Sequence, residues 1–365
     1  MSALTVNINP KLLEWARKES GFAESQIAEA LSIKPEKYIY WEKHGKEIPF
    51  GKLKDISTNF KRQIATFFLE EIPPKNKKPK DYRNLNPEES KLSPDTLLAM
   101  RRANKFQTIA IELEGEKYWS QRYEWLKELG NLTDDDAIAR WLRNKLKITI
   151  EDQFHFKNNS EAYKKWRSAI EENLGILTFQ FSMPLKEVQG FCYSEGFPYT
   201  VVVNGKNAEA GRIFTLFHEL AHILKHQSGI CLPDYVSSTQ QIEFDCNSLA
   251  GKFLLPSNAI VITEDPDEIL KYSRRFKISS EVYLRRMFEE NHLSQSNFFR
   301  LLETVKSRVK SVKKSFGIST PLQRSINQRG ITFYNTIIEG VNKKKLSYSK
   351  ASDALGLSIK HLIKS

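Results

Sequence analysis

Three of the seven histidines of this chain, His218, His222 and His226, fall at successive spacings of four within "FTLFHELAHILKH", residues 214–226. On an α-helix, residues i and i+4 differ by only about 40° around the axis, so His218 and His222 share a face and can hold one metal ion between their imidazoles. Glu219 lies on the flank of that face, where its carboxylate can reach a water on the ion instead of the ion itself. This is the division of labour in metal-assisted hydrolysis: the ion acidifies the water, and the carboxylate takes a proton and later passes it to the leaving amine. An H-E-x-x-H pattern arises by chance in roughly one chain of this length in a hundred, so the motif needs support from elsewhere in the sequence.

A catalytic metal needs a third protein ligand, and "QQIEFDCNSLAGKFLLP" offers one on a second expected helix, where Glu243 and Asn247 stand one turn apart. Glu243 could complete the site, and Asn247 could accept a hydrogen bond from the free N–H of a ligating imidazole. Asp245 points elsewhere on that helix, and His226 lies a turn beyond the ion, as a rim or surface residue. The competing reading is an amphipathic helix with histidines on its solvated face and ordinary surface acids nearby.

The elements that must position these groups are legible as patterns. Residues 10–71 read as several short helices, from "PKLLEWARKESG" to "KRQIATFFLEE". The stretch "IPPKNKKPKDYRNLNPEESKLSPD" combines prolines with a lysine run and has no periodicity, which marks a linker. Helical patterns resume from about Ser93. Near Gly175 they give way to "GILTFQFSMP", "VQGFCYS" and "YTVVVNG", short β-rich runs that predict a small sheet just before the HELAH helix. Helices fill the rest of the chain, and no fixed-period repeat is seen. The expected fold class is mainly α with a small β-sheet. The expected domains are 1–72, a linker 73–98, a metal-site domain 99–292 and a helical carboxyl-terminal region 293–365. The run "PYTVVVNG" forms either the sheet edge bordering the metal, open to an added substrate strand, or an interior strand.

The motifs "RIFTLFHELAHILKH" and "IEFDCNSLAGKFLLP" resemble the ImmA/IrrE family of bacterial zinc metallopeptidases, whose pattern is R-x-F-T-x-x-H-E-x-x-H, then E-x-x-A-[ND]-x-F-A and a closing L-L-x-P. The resemblance implies a zincin-like fold, zinc on His218, His222 and Glu243, and Glu219 as general base and acid. Cys246 and Leu249 depart from the pattern, which has Ala and Phe there, and read as packing changes. "YSRRFKISSEVYLRRMF" and "GITFYNTIIEGVNKKKLSYSKASDALGLSIKHLI" resemble the later parts of longer family members.

The segment "GFAESQIAEALSIKPEKYIYWEKHGKEIP" has the layout of a helix-turn-helix: a helix ending near Leu31, a tight turn at Ser32 and Ile33, and a second helix opened by Pro35. It resembles the XRE/Cro-type fold, which implies Glu36, Lys37 and Tyr40 facing DNA, with Lys34, Lys43 and Lys46 near phosphates. Glu24 and Glu36 oppose phosphate contact, so the competing reading is a helical module that docks on protein. Lys and Arg outnumber Asp and Glu by 56 to 44, a net charge of +12 that favours a polyanionic partner. The tail "LSYSKASDALGLSIKHLIK" has a similar rhythm but lacks the surrounding signature, and is read as a small helical subdomain.

No run of about 18 apolar residues and no export pattern at the start support a membrane span or a signal peptide, so the expected location is cytoplasmic. Cys192, Cys231 and Cys246 form no C-x-x-C pair and are expected reduced. Two functions remain open. One is a zinc endopeptidase whose substrate, by family resemblance, is a repressor or antitoxin-like protein. The other is a DNA-binding regulator or antitoxin-like protein whose peptidase domain is a sensor or a vestige.

Overall fold

The computed structural model describes residues 4–74, 92–132, 134–225, 230–231, 241–308 and 319–363. They divide into two units, with the boundary between Asn104 and Lys105.

In the first unit a two-residue antiparallel pairing joins β1 (Thr5–Val6) to β2 (Ile48–Pro49). Between and after these strands come α1 (Pro10–Glu19), α2 (Glu24–Ala30), α3 (Pro35–His44), α4 (Phe50–Phe60) and a 3₁₀ turn at Ile64–Phe68. Local chemistry fixes the boundaries. Asn9 caps α1 by accepting from Lys11 N–H, and Pro10 and Pro35 open their helices where no N–H is needed. Gly45, at φ 65°, ends α3 in the left-handed conformation that costs glycine least. Ile27, Leu31, Tyr38, Trp41, Ile56 and Phe60 fill the core. Arg101, on α5 (Pro94–Glu114), donates to the carbonyl of Phe60 at 2.7 Å and to Ser20 Oγ at 3.3 Å. Residues 94–98 of the segment expected as a linker are therefore helical, and residues 75–91 lie outside the described residues.

The second unit continues through α6 (Glu116–Gln121), α7 (Leu126–Leu129), α8 (Asp135–Leu146), α9 (Ile150–His155) and α10 (Asn159–Leu174). The three expected strands follow as β3 (Leu177–Phe181), β4 (Gly190–Tyr193) and β5 (Thr200–Asn204). Next come α11 (Glu209–Leu224), β6 (Ile230–Cys231) and α12 (Gln241–Leu254). The chain closes with α13 (Pro266–Phe276), α14 (Ser280–Glu289), α15 (Gln295–Arg308), α16 (Pro321–Arg329), α17 (Ile331–Asn342), α18 (Tyr348–Leu355) and α19 (Ile359–Leu362). The protein is mainly α with small sheets, as the patterning predicts.

The sheet order is β3-β5-β4-β6, with β3 and β5 parallel and the other pairs antiparallel. This corrects the expectation that "PYTVVVNG" borders the metal as an open edge. β5 is hydrogen-bonded on both sides and all five of its residues are buried. Its consecutive valines place apolar side chains on both faces, the composition of an interior strand. β5 therefore has no free edge for a substrate strand to join.

Helices α16 and α17 are built into the sheet side of this unit. Phe333 stacks on Phe106 at 4.8 Å and meets Phe179 edge-on at 5.6 Å. Beneath them Glu171 on α10 is paired with Arg167 at 3.1 Å and accepts the Thr332 N–H at 3.0 Å, which caps the first turn of α17. Arg167 also donates to the Asn327 carbonyl. Among the described residues no helix is long and apolar enough to cross a membrane.

Candidate metal centre

Helix α11 is apolar on nearly every side, and Ile213, Leu216, Phe217, Leu220, Ile223 and Leu224 are all buried. A helix of this kind belongs in a core. Aromatic packing holds it there: Phe217 stacks on Phe253 of α12 at 4.2 Å, and Trp166 of α10 meets both rings edge-on. Ion pairs fix the ends, Lys225 to Asp135 at 2.9 Å and Lys252 to Asp136 at 2.6 Å, tying α11 and α12 to the start of α8.

His218, Glu219 and His222 are thus carried inside the protein, at 1%, 0% and 0% exposure. This disposes of the reading in which the histidines decorate a solvated face. The two imidazole Nε2 atoms lie 3.1 Å apart. Glu243, in the first turn of α12, places one carboxylate oxygen 3.1 Å from His218 Nε2 and the other 3.2 Å from His222 Nε2. These three residues form a group whose ligand atoms could share one metal ion.

The chemistry of the donor set indicates what belongs between them. His218 Nδ1 lies 2.9 Å from Asn247 Oδ1, and an amide oxygen can only accept, so with the amide oxygen toward the ring Nδ1 carries the proton. The neutral ring then turns a bare Nε2 lone pair toward a carboxylate oxygen and toward a second imidazole. Three electron-rich atoms at such distances repel one another unless a cation or proton sits between them. A tetrahedral ion with ligands at about 2.0–2.1 Å has ligand–ligand edges of about 3.3 Å, close to the triangle observed.

Electrostatics favour the same protonation state. Burial pushes the His218 imidazole below its ordinary value of 6.5, and the Glu243 carboxylate and Asn247 offset this only in part. Burial alone would raise the Glu243 carboxyl, but hydrogen bonding and charge from protonated imidazoles outweigh it and bring it to about 2, so Glu243 is ionised whether a proton or a cation lies between it and the rings. A neutral imidazole and an ionised carboxylate are the forms that bind a cation.

The Glu219 carboxylate lies against Gly190 of β4. A Cβ placed on Gly190 would stand 3.1 Å from Glu219 Oε1, 2.5 Å from Thr215 Cγ2 and 2.8 Å from the Val202 carbonyl oxygen. Only glycine leaves room there for the Glu219 carboxylate against the sheet. Gly190 belongs to no motif of the sequence; its one signal is a glycine inside the apolar run "VQGFCYS".

The remaining predicted residues fall as follows. Asp245 stays outside the triangle and accepts from Gln241 at 2.7 Å. Cys246 and Leu249 are buried packing residues, and burial pushes the Cys246 thiol above its usual range. Cys192 is buried and outside any disulfide, whereas His226 and the side chain of Cys231 lie outside the described residues. In the first unit, Lys34 immediately precedes α3 and is exposed, as are Lys37, Tyr40, Lys43 and Lys46. Glu36 is also exposed, but Glu24 is paired with Arg17 at 3.2 Å, and Arg17 is held in turn by Glu42 at 2.9 Å.

Residues 171–288 match the family model of the IrrE N-terminal-like domain, a peptidase family. The matched stretch contains the whole triangle, Glu219 and Gly190, and it supports an ImmA/IrrE-type peptidase domain there. No curated protein and no solved structure matched the chain.

Proposed function

We propose that the chain is a zinc-dependent endopeptidase of the cytoplasm that cleaves a repressor or antitoxin-like regulatory protein, and that its amino-terminal unit is an XRE/Cro-like helix-turn-helix that binds duplex DNA. The observation that carries the peptidase reading is the buried triangle of His218, His222 and Glu243. Two imidazoles and one carboxylate suit zinc better than magnesium or calcium, which prefer all-oxygen sites. A zinc ion held there would acidify a water and polarise the scissile carbonyl.

The chain's own residues supply the rest. His218 and His222 present their ring nitrogens from one helix face, and Asn247 fixes the tautomer and orientation of His218. Glu243 contributes the negative charge. Glu219, one residue along from His218 and packed beside Gly190, takes a proton from the attacking water and hands it to the leaving amine. The substrate class rests on the family resemblance of the motifs, together with a unit that would hold the enzyme where such regulators sit.

Support for the DNA reading comes from five exposed side chains, Lys34, Lys37, Tyr40, Lys43 and Lys46, on or beside α3. The pairing of Glu24 with Arg17 adds to it, because it removes one of the two opposing carboxylates from consideration. Two experiments test the proposal. Wild type and Glu219→Gln are incubated with candidate repressors and the fragments are read by mass spectrometry. Cleavage by wild type alone, with zinc retained by both, is the expected result, and equal cleavage would remove Glu219 from the mechanism. For DNA, Lys34→Glu/Lys37→Glu/Lys43→Glu in the full chain should weaken binding and flatten its salt dependence. Unchanged binding would leave the unit as a protein-docking module.

A further inference from the structure

Residues 348–363 follow the helix–turn–helix course of residues 24–39 when Glu24 is set against Tyr348 and Ile39 against Ile363, although α18 ends one residue later than α2 and α19 spans four residues where α3 spans ten. α2 and α18 each lead into a buried leucine, Leu31 and Leu355. The next residue is left-handed in both, Ser32 at φ 51° and Gly356 at φ 60°. Ile33 then donates its N–H to the carbonyl of Ala28 at 3.0 Å, and Leu357 to that of Ser352 at 3.2 Å. Lys34 and Ser358 are extended, with ψ of 142° and 150°, and start α3 and α19. Tyr38 and Leu362 turn inward, while Ile39 and Ile363 are exposed at the same step of the second helix. A further helix precedes each pair, α1 in one case and α17 in the other.

Two substitutions within this shared frame bear on what the later copy can bind. Where the amino-terminal unit has Glu24 and Glu36, the carboxyl-terminal copy has Tyr348 and Lys360. Both carboxylates that oppose phosphate contact are gone, and one is replaced by a cation. Residues 331–365 carry six lysines against two acids. Of these, Lys343 is tied to Glu339 at 2.9 Å, whereas exposed Lys344, Lys350 and Lys360 have no ion pair among the described residues. The outward face of α19 offers Ile359, Lys360 and Ile363, with the isoleucines 44% and 67% exposed. Apolar side chains beside a lysine suit a major-groove surface, where thymine methyls and guanine acceptors are presented.

We propose that α18, its left-handed turn and α19 form a second duplex-DNA-binding helix-turn-helix, with α19 in the major groove and Lys344 and Lys350 at phosphates. The site stands on its own geometry and charge, and does not depend on whether the amino-terminal unit binds DNA.

The test uses the full chain and a fluorescein-labelled random-sequence duplex of about 30 base pairs, with anisotropy followed over a sodium chloride series. Lys344→Glu/Lys350→Glu/Lys360→Glu should weaken binding at least tenfold and flatten the slope of log affinity against log salt by about 2–3. A control with the same charge change at exposed positions outside this region, Lys127→Glu/Lys164→Glu/Lys186→Glu, should leave the slope as in wild type. Lys350→Gln/Lys360→Gln, which introduces no repulsion within the helices, should shift binding in the same direction. Adding the carboxyl-terminal triple substitution to Lys34→Glu/Lys37→Glu/Lys43→Glu should remove the binding that remains. If the amino-terminal variant alone binds like wild type, the amino-terminal reading fails and this one stands. A wild-type slope in the carboxyl-terminal triple, or an equal loss in the control, would overturn the proposal.

Discussion

The Nδ1 atom of His218 lies 2.9 Å from the Oδ1 atom of Asn247, one hydrogen bond that ties the helix carrying both imidazoles to the helix carrying Glu243. It holds the ring in the tautomer that exposes Nε2. Replacing Asn247 with Leu keeps the branched shape and removes the acceptor. Metal affinity, measured by competition with a chelator, should fall about 10- to 100-fold. An unchanged affinity would show that packing alone orients the His218 ring.

Gly190 bears on the other half of the site. Gly190→Ala would bring a methyl to 3.1 Å from Glu219 Oε1 and to 2.5 Å from Thr215 Cγ2. The backbone on that side is the interior strand β5, which cannot move aside freely, so Glu219 must shift. The variant should lose about 1–3 kcal/mol of stability from overpacking. It should also lose most of its cleavage while keeping its metal, since no ligand is touched. Metal loss in parallel with activity would mean that the strain reaches the triangle.

Acidification should release the metal, because an imidazole must be neutral to ligate. Burial lowers the His218 value below 6.5, so its ring stays neutral below the pH at which a free imidazole protonates. Retention of metal plotted against pH should therefore have its midpoint below 6.5 and fall as pH drops further. A midpoint above 6.5 would contradict the low His218 value.

The carboxyl-terminal helices should matter to stability through Glu171. Its carboxylate is buried with Arg167 and caps α17 through Thr332, so Glu171→Ala leaves both a buried guanidinium and a helix start without their partner. Breaking such a pair costs about 3–5 kcal/mol. Glu171→Gln keeps an acceptor for Thr332 and should cost less. Denaturant unfolding of the two variants checks the order, and equal losses would mean that the cap contributes nothing.

The candidate metal ligands are legible because helical spacing alone places His218 with His222 and Glu243 with Asn247; the approach of the two helices then needs only their apolar faces. β3, β4 and β5 were equally legible from β-rich runs bounded by glycine and proline. The position of β5 was not, because a run such as "TVVV" declares a strand but not its neighbours, and a competing edge reading could be discarded only once β3 and β4 were seen on either side. Gly190 escaped for a related reason: its significance is a contact with Glu219 across 29 residues of chain, and neither local pattern encodes it. In the tail only a helical rhythm is legible, and its correspondence with α2 and α3 lies in backbone conformation at Ser32 and Gly356, two residue types that share little as letters.

The claim on which the rest depends is that His218, His222 and Glu243 together hold one zinc ion. Zinc content per chain, measured by mass spectrometry after dialysis of wild type and Glu243→Ala, tests it most directly. Wild type should carry close to one zinc per chain and Glu243→Ala close to none, with the variant still folded. Zinc retained in full by Glu243→Ala, or absent from wild type after purification with zinc supplied, would contradict it.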